Sequence, residues 1–140
     1  MKTIKHLLLF AASLFTNITH AQTFACQFVA SGGLDWEGKS WILKQFNTEK
    51  PFALRVESNL LTKESAASAL GRRRWEDIDC KRHPVTLQAG FSCTDYLGGY
   101  LIFDDLKGLG AVTQALGAVA PLVGRPIDSI TISPFVCQKM

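Results

Sequence analysis

Apolar and polar residues alternate in short runs along much of this chain, and turn residues separate the runs. That pattern predicts strands more often than helices. Residues 24–30 are rich in strand formers, and Ser31-Gly32-Gly33 reads as a turn. Residues 34–36 and 40–46 flank a second turn at Glu37-Gly38-Lys39. This places Trp36 near Trp41 across a hairpin, where an aromatic pair helps to fix register. Residues 52–57 alternate cleanly, with Phe52, Leu54 and Val56 on one side and Ala53, Arg55 and Glu57 on the other, as in a half-buried strand. A helix is predicted next: Thr62 stands at its N-cap, Glu64 in its first turn and Gly71 at its C-terminal cap, with Ala66, Ala67, Ala69 and Leu70 between them. Residues 75–80, 85–89 and 100–103 read as extended, punctuated by Pro84 and Gly90. A second helix is expected over residues 106–119, capped by Asp104 or Asp105, rich in Gly and Ala, and ended by Pro121, Gly124 and Pro126. Residues 129–133 alternate around Ile130 and Ile132, and Pro134 marks an edge, a bulge or a break. The expected fold class is therefore α+β: a mostly antiparallel sheet of about five to seven strands with two helices packed on it.

The first 21 residues carry a different pattern. Lys2 and Lys5 precede an uncharged apolar run over residues 7–15, and Thr19-His20-Ala21 offers small residues three and one before a cut. This is the layout of a cleavable secretory signal, with cleavage expected after Ala21, and the apolar run is too short for a permanent span. A lipidated start at Cys26 fits poorly, because Phe24 sits where a small residue is wanted. The expected organisation is a signal over 1–21 and one domain over 22–140, periplasmic or secreted. Removal of the signal changes the charge balance. Fifteen Lys and Arg less Lys2 and Lys5 leave 13 against 12 acidic residues, a net charge of +1. So neutral a domain has little long-range attraction for nucleic acid, and none is expected as a partner.

All four cysteines, Cys26, Cys80, Cys93 and Cys137, lie in the exported part. In an oxidising compartment they most simply form two disulfides, with three possible connectivities. The favoured pairs are Cys80–Cys93, tying a local hairpin, and Cys26–Cys137, tying the chain ends. A zinc site is not expected, because no Cys-x-x-Cys pair exists. His83 is the one histidine left after signal removal, so sites built from two or three histidines of one chain are excluded. No calcium loop and no cofactor motif appears. Carboxylates cluster as Asp35/Glu37, Glu76/Asp77/Asp79 and Asp104/Asp105, which leaves open a small hydrolase working with His83.

Arg72-Arg73-Arg74 is the strongest local charge feature, and Trp75 follows it directly. Arginine beside an aromatic is common at protein interfaces and suits an anionic group, although cations at a helix C-terminus also complement its dipole. Trp36 and Trp41 form a second candidate surface, for a sugar or a partner loop. The stretches CQFVASGGLDWEGKSW, PFALRVESNLLTKES, GGYLIFDDLKG and SPFVCQKM together resemble a group of small exported proteins of Gram-negative bacteria that has no assigned activity. The resemblance implies bacterial export and a single domain. The expectation is a non-enzymatic binding or modulator protein of the envelope, its partner an envelope protein or glycan. The alternatives are the carboxylate hydrolase and a membrane-associated protein using a helix over 106–120, without a stable span.

Overall fold

The computed structural model describes residues 21–83, 90–115 and 129–140. The expected signal thus falls almost wholly outside the described residues, as does the run over 85–89. Ten strands and one helix follow in order: β1 (Gln22–Phe28), β2 (Gly32–Trp36), β3 (Trp41–Gln45), β4 (Phe52–Glu57), β5 (Leu60–Leu61), α1 (Lys63–Ala69), β6 (Asp79–His83), β7 (Gly90–Thr94), β8 (Gly99–Asp104), β9 (Leu109–Gln114) and β10 (Ile130–Lys139). All pairings are antiparallel. The sheet runs β5-β4-β1-β10-β9-β8-β7-β6, and its two outer strands, β5 and β6, come into contact, so it curls into a nearly closed barrel.

The long strand β10 organises the sheet. Its C-terminal half pairs with β1 and its N-terminal half with β2, both on the same side. Phe28 faces Phe135 and Gly32 faces Ile132, so the β1–β2 side carries one residue more than β10 between these pairs. That extra residue is a bulge. The Val29 amide donates to the Pro134 carbonyl at 3.0 Å within it. The nitrogen of Pro134 points to the same side as its carbonyl, so the missing donor falls where the bulge interrupts the ladder. Ser31-Gly32-Gly33, expected as a turn, is instead the exit from this bulge into β2.

Alternation sorts the side chains. Phe24, Cys26 and Phe28 from β1, Leu54 and Val56 from β4, Phe91 and Cys93 from β7, Leu101 and Phe103 from β8, Val112 from β9 and Phe135 from β10 are all buried. The Phe135 ring lies 5.1 Å from Phe52, 5.9 Å from Phe28 and 6.1 Å from Phe103, at the centre of the aromatic cluster. Helix α1 packs on β4 through buried Ala66, Ala67 and Ala69, whose small side chains let the helix approach the sheet closely. Thr62 occupies the N-cap, but its hydroxyl is hydrogen-bonded to the Ser65 Oγ at 2.9 Å rather than to a helix amide.

The α+β expectation is overturned: the described residues form an antiparallel β-fold with a single short helix. The second helix expected over 106–119 is the cause. Leu109–Gln114 is strand β9, and residues 116–119 lie outside the described residues. Asp104 caps a tight turn instead of a helix, its carboxylate accepting the amides of Leu106 and Lys107 at 3.0 Å each. Gly108 completes the turn at φ 66°, a conformation that L side chains rarely adopt. Gly110 is small for a different reason. A Cβ there would collide with the Phe135 ring and with the Ile102 carbonyl oxygen. The small residues that suggest a helix lying close on a sheet are in fact making room for an aromatic ring in the core.

Both disulfides join residues that face each other in the ladder: Cys26 and Cys137 across β1 and β10, Cys80 and Cys93 across β6 and β7. They are the favoured pairs, and no cysteine is left free. Bonds of this kind belong to an oxidising compartment, extracellular or periplasmic.

Candidate functional site

The arginine run sits just beyond the C-terminus of α1, and its members have separate roles. The Nε of Arg72 donates to Oδ2 of Asp95 at 2.5 Å. The Asp95 side chain is only 3% exposed. Its Oδ1 also accepts the amides of Leu97 at 2.9 Å and Gly99 at 2.6 Å, which shapes the β7–β8 turn. Arg72 therefore clamps the helix to that turn, and its charge is engaged in the fold. Arg74 pairs loosely with Glu76 at 3.6 Å, both exposed, and Arg73 and Trp75 face solvent. The Glu76 carboxyl is held below its ordinary value by hydrogen bonding to its own backbone amide first, and by the Arg74 charge after that. Together with Asp95, Tyr96 and Leu97, the run lines a cavity of about 160 Å³.

The Trp36–Trp41 hairpin forms as the sequence predicts. The two residues face each other in the β2–β3 register, their rings 5.4 Å apart. The ladder shows more than the sequence does. Leu34 faces both Leu43 of β3 and Ile130 of β10. Facing residues, and residues two apart on one strand, share a face of a sheet. Trp36, Trp41, Leu34, Leu43, Ile130 and Ile132 thus lie on one face, and it is the face turned away from the core. The same outer row continues along β10 to Val136, beside Leu109 of β9. Leu43 is 86% exposed, Val29 57% and Ile132 54%. On the opposite face, Lys44 donates to Oδ2 of Asp35 at 2.7 Å and the Ser129 hydroxyl donates to Oδ1 at 2.7 Å. These bonds brace the apolar face from behind.

A third place joins residues that no sequence expectation brings together, although Asp105 belongs to one of the carboxylate clusters. At the end of the barrel where β1 begins and β10 finishes, Gln22, Val56, Ser58, Asn59, Arg82, Asp105, Leu106 and Lys139 surround an open basin of about 730 Å³. Nη2 of Arg82 meets Oδ2 of Asp105 at 3.4 Å, and the guanidinium lies 4.7 Å over the Phe91 ring. The Asp105 side chain is 10% exposed, and its Oδ1 is buried with no hydrogen-bond partner among the described residues. An unsatisfied buried acceptor costs roughly 1–3 kcal/mol. No sequence signal joins Arg82 to Asp105, because the contact arises only when the β8–β9 turn swings beside β6.

Among the described residues, the groups that a hydrolase working with His83 would require do not converge. Asp79 pairs with Lys81 at the start of β6, four residues from His83 at its other end, a distance of about 13 Å along a strand. Asp95 is held by Arg72, and Glu76 lies in solvent beside Arg74. The Nε2 of His83 shares a hydrogen bond of 2.7 Å with the hydroxyl of Ser92, and among the described residues no carboxylate completes the pair. Ser92 is only 8% exposed, which leaves little room for a substrate. No group of three or more His, Cys, Asp or Glu able to hold a metal occurs among the described residues. No helix there is long and apolar enough to cross a membrane. Set against family models, curated proteins and solved structures, the chain matches none.

Proposed function

We propose that this is a non-enzymatic binding protein of the bacterial envelope, exported by the signal over 1–21, that docks an envelope protein through the outer face of β2, β3 and β10. One observation carries the reading: Trp36, Trp41, Leu34, Leu43, Ile130 and Ile132 share a face turned away from the core, with Leu43 86% exposed. Soluble proteins seldom leave a run of large apolar side chains in water unless it meets a partner. The face is rigid, being part of a disulfide-tied sheet and braced by Asp35, Lys44 and Ser129 behind it. Little ordering entropy would be lost on docking, which favours affinity. The two tryptophans supply the aromatic anchors typical of such surfaces. The two disulfides support an oxidising compartment, and the signal pattern and the resemblance of the exported part support bacterial export as part of this reading.

The arginine run has a smaller part in this reading than its charge suggests, because Arg72 is engaged by Asp95. Arg73 and Trp75 remain available as a secondary contact. The membrane alternative rested on a helix over 106–120, and Leu109–Gln114 is a strand. The test compares retention from envelope extract by the immobilised, oxidised protein and by its Leu43→Asp variant. A component held by the first and released by the second supports the proposal. Identical retention by both refutes it, as does ester or glycan turnover that disappears on His83→Ala.

A further inference from the structure

We propose that the basin at the β1–β10 end of the barrel binds a carboxylated sugar: Arg82 and Lys139 take the carboxylate, and Asp105 accepts a hydroxyl. The basin of about 730 Å³ falls in the range of small-molecule sites and has room for one or two sugar units. Its charged lining is Arg82, Lys139 and Asp105, an excess of one positive charge that favours an anion. Arg82 is held in place by the Phe91 ring and by Asp105, and it meets Asp105 through Nη2 alone. Its other donors remain for a second carboxylate, which a guanidinium grips through two parallel bonds. Lys139 has no ion-pair partner among the described residues and adds a second point of charge.

Asp105 sets the other half of the requirement. Its side chain is nine-tenths buried, and Oδ1 lacks a partner among the described residues. Asp105 lines the basin beside Arg82, and a ligand hydroxyl entering there can donate to its carboxylate. A bare phosphate or sulfate would engage the two cations but carries more negative charge against Asp105 and brings no separate sugar hydroxyl to offset it. A neutral sugar would satisfy Asp105 and leave the cations unused. A sugar bearing a carboxylate meets both demands, with Ser58, Asn59 and Gln22 in place for further hydroxyls and Leu106 and Val56 for the C–H face of the ring. Because the basin lies apart from the apolar outer face, this proposal and the docking proposal fail independently.

The test is an NMR titration of the isotope-labelled, oxidised protein with sodium glucuronate, alongside glucose, acetate and inorganic phosphate. The expected result is saturable shifts at Ser58, Asn59, Arg82, Leu106 and Lys139, with glucuronate binding at least about tenfold more tightly than each comparator. Lys139→Ala, an exposed and structurally mild change, should weaken binding by a similar factor, as should Asp105→Asn. If Asp105→Asn does not fold, Asn59→Gly replaces it, since glycine tolerates the φ of 65° found there. The proposal is overturned if glucuronate gives no saturable shifts, if they map away from the basin, if phosphate or acetate binds as tightly, or if Lys139→Ala leaves the affinity unchanged.

Discussion

At the scale of single residues, the side chain with the greatest structural consequence is Asp95. It is 3% exposed and has three partners: Arg72 and the amides of Leu97 and Gly99. Asp95→Ala would orphan two amides and leave a guanidinium facing the gap. The expected loss is about 3 kcal/mol, read from urea unfolding. Arg73→Ala, one position from Arg72 but exposed, should stay within about 0.5 kcal/mol of the parent. The contrast bears on what a sequence can reveal at this scale. Three consecutive arginines read as one electrostatic patch, whereas the fold turns one of them inward. Asp95 stands 23 residues from Arg72 with no periodic relation to it. The same is true of Arg82 and Asp105, also 23 residues apart and brought together only by tertiary folding.

At the scale of elements, the β2–β3 hairpin is where sequence and structure agree most closely. Its turn residues and its tryptophans fix the register, whereas the outward face emerges only from the pairing of β2 with β10. Residues 52–57 succeed for the same reason, since strict alternation has only one phase. The segment after Asp104 misleads because glycine and alanine carry no clear phase, and because Gly110 is small on account of Phe135, some 25 residues on. The hairpin also carries a pH dependence. Asp35 is held below the ordinary carboxylate value, chiefly by the hydrogen bond from Lys44 and next by that from Ser129, and Asp35 in turn raises Lys44. A lowered carboxyl contributes stability that is complete above its unfolded value, about 3.9, and is lost as pH falls through the folded one. A raised lysine contributes below its unfolded value, about 10.4, and its share is lost as pH rises through the folded one. The hairpin should therefore hold steady between these limits and loosen beyond both. Tryptophan emission in a Trp75→Phe background reports this directly, since only Trp36 and Trp41 remain. Asp35→Asn should abolish the transition on the acid side.

At the scale of the whole molecule, the two disulfides and the curled sheet make one rigid frame. Cys26–Cys137 spans 111 residues and joins the chain ends, whereas Cys80–Cys93 spans 13. In the loop-entropy picture such closures contribute about 4.7 and 3 kcal/mol respectively. Paired serine substitutions should therefore lower unfolding stability more at Cys26 and Cys137 than at Cys80 and Cys93, as measured by urea unfolding. Equal losses would show that local strain outweighs loop length. A frame so constrained suits a protein that presents a fixed surface, and the outer face of β2, β3 and β10 is the surface we assign to that role. The most direct test is site-specific photo-crosslinking in intact cells. A photoreactive side chain is placed at position 43 or 132 on the apolar face, with the exposed position 81 of β6 as the control. Docking through the apolar face predicts one discrete protein adduct from positions 43 and 132 and none from 81. Adducts equal at all three positions, or absent from 43 and 132, would contradict it.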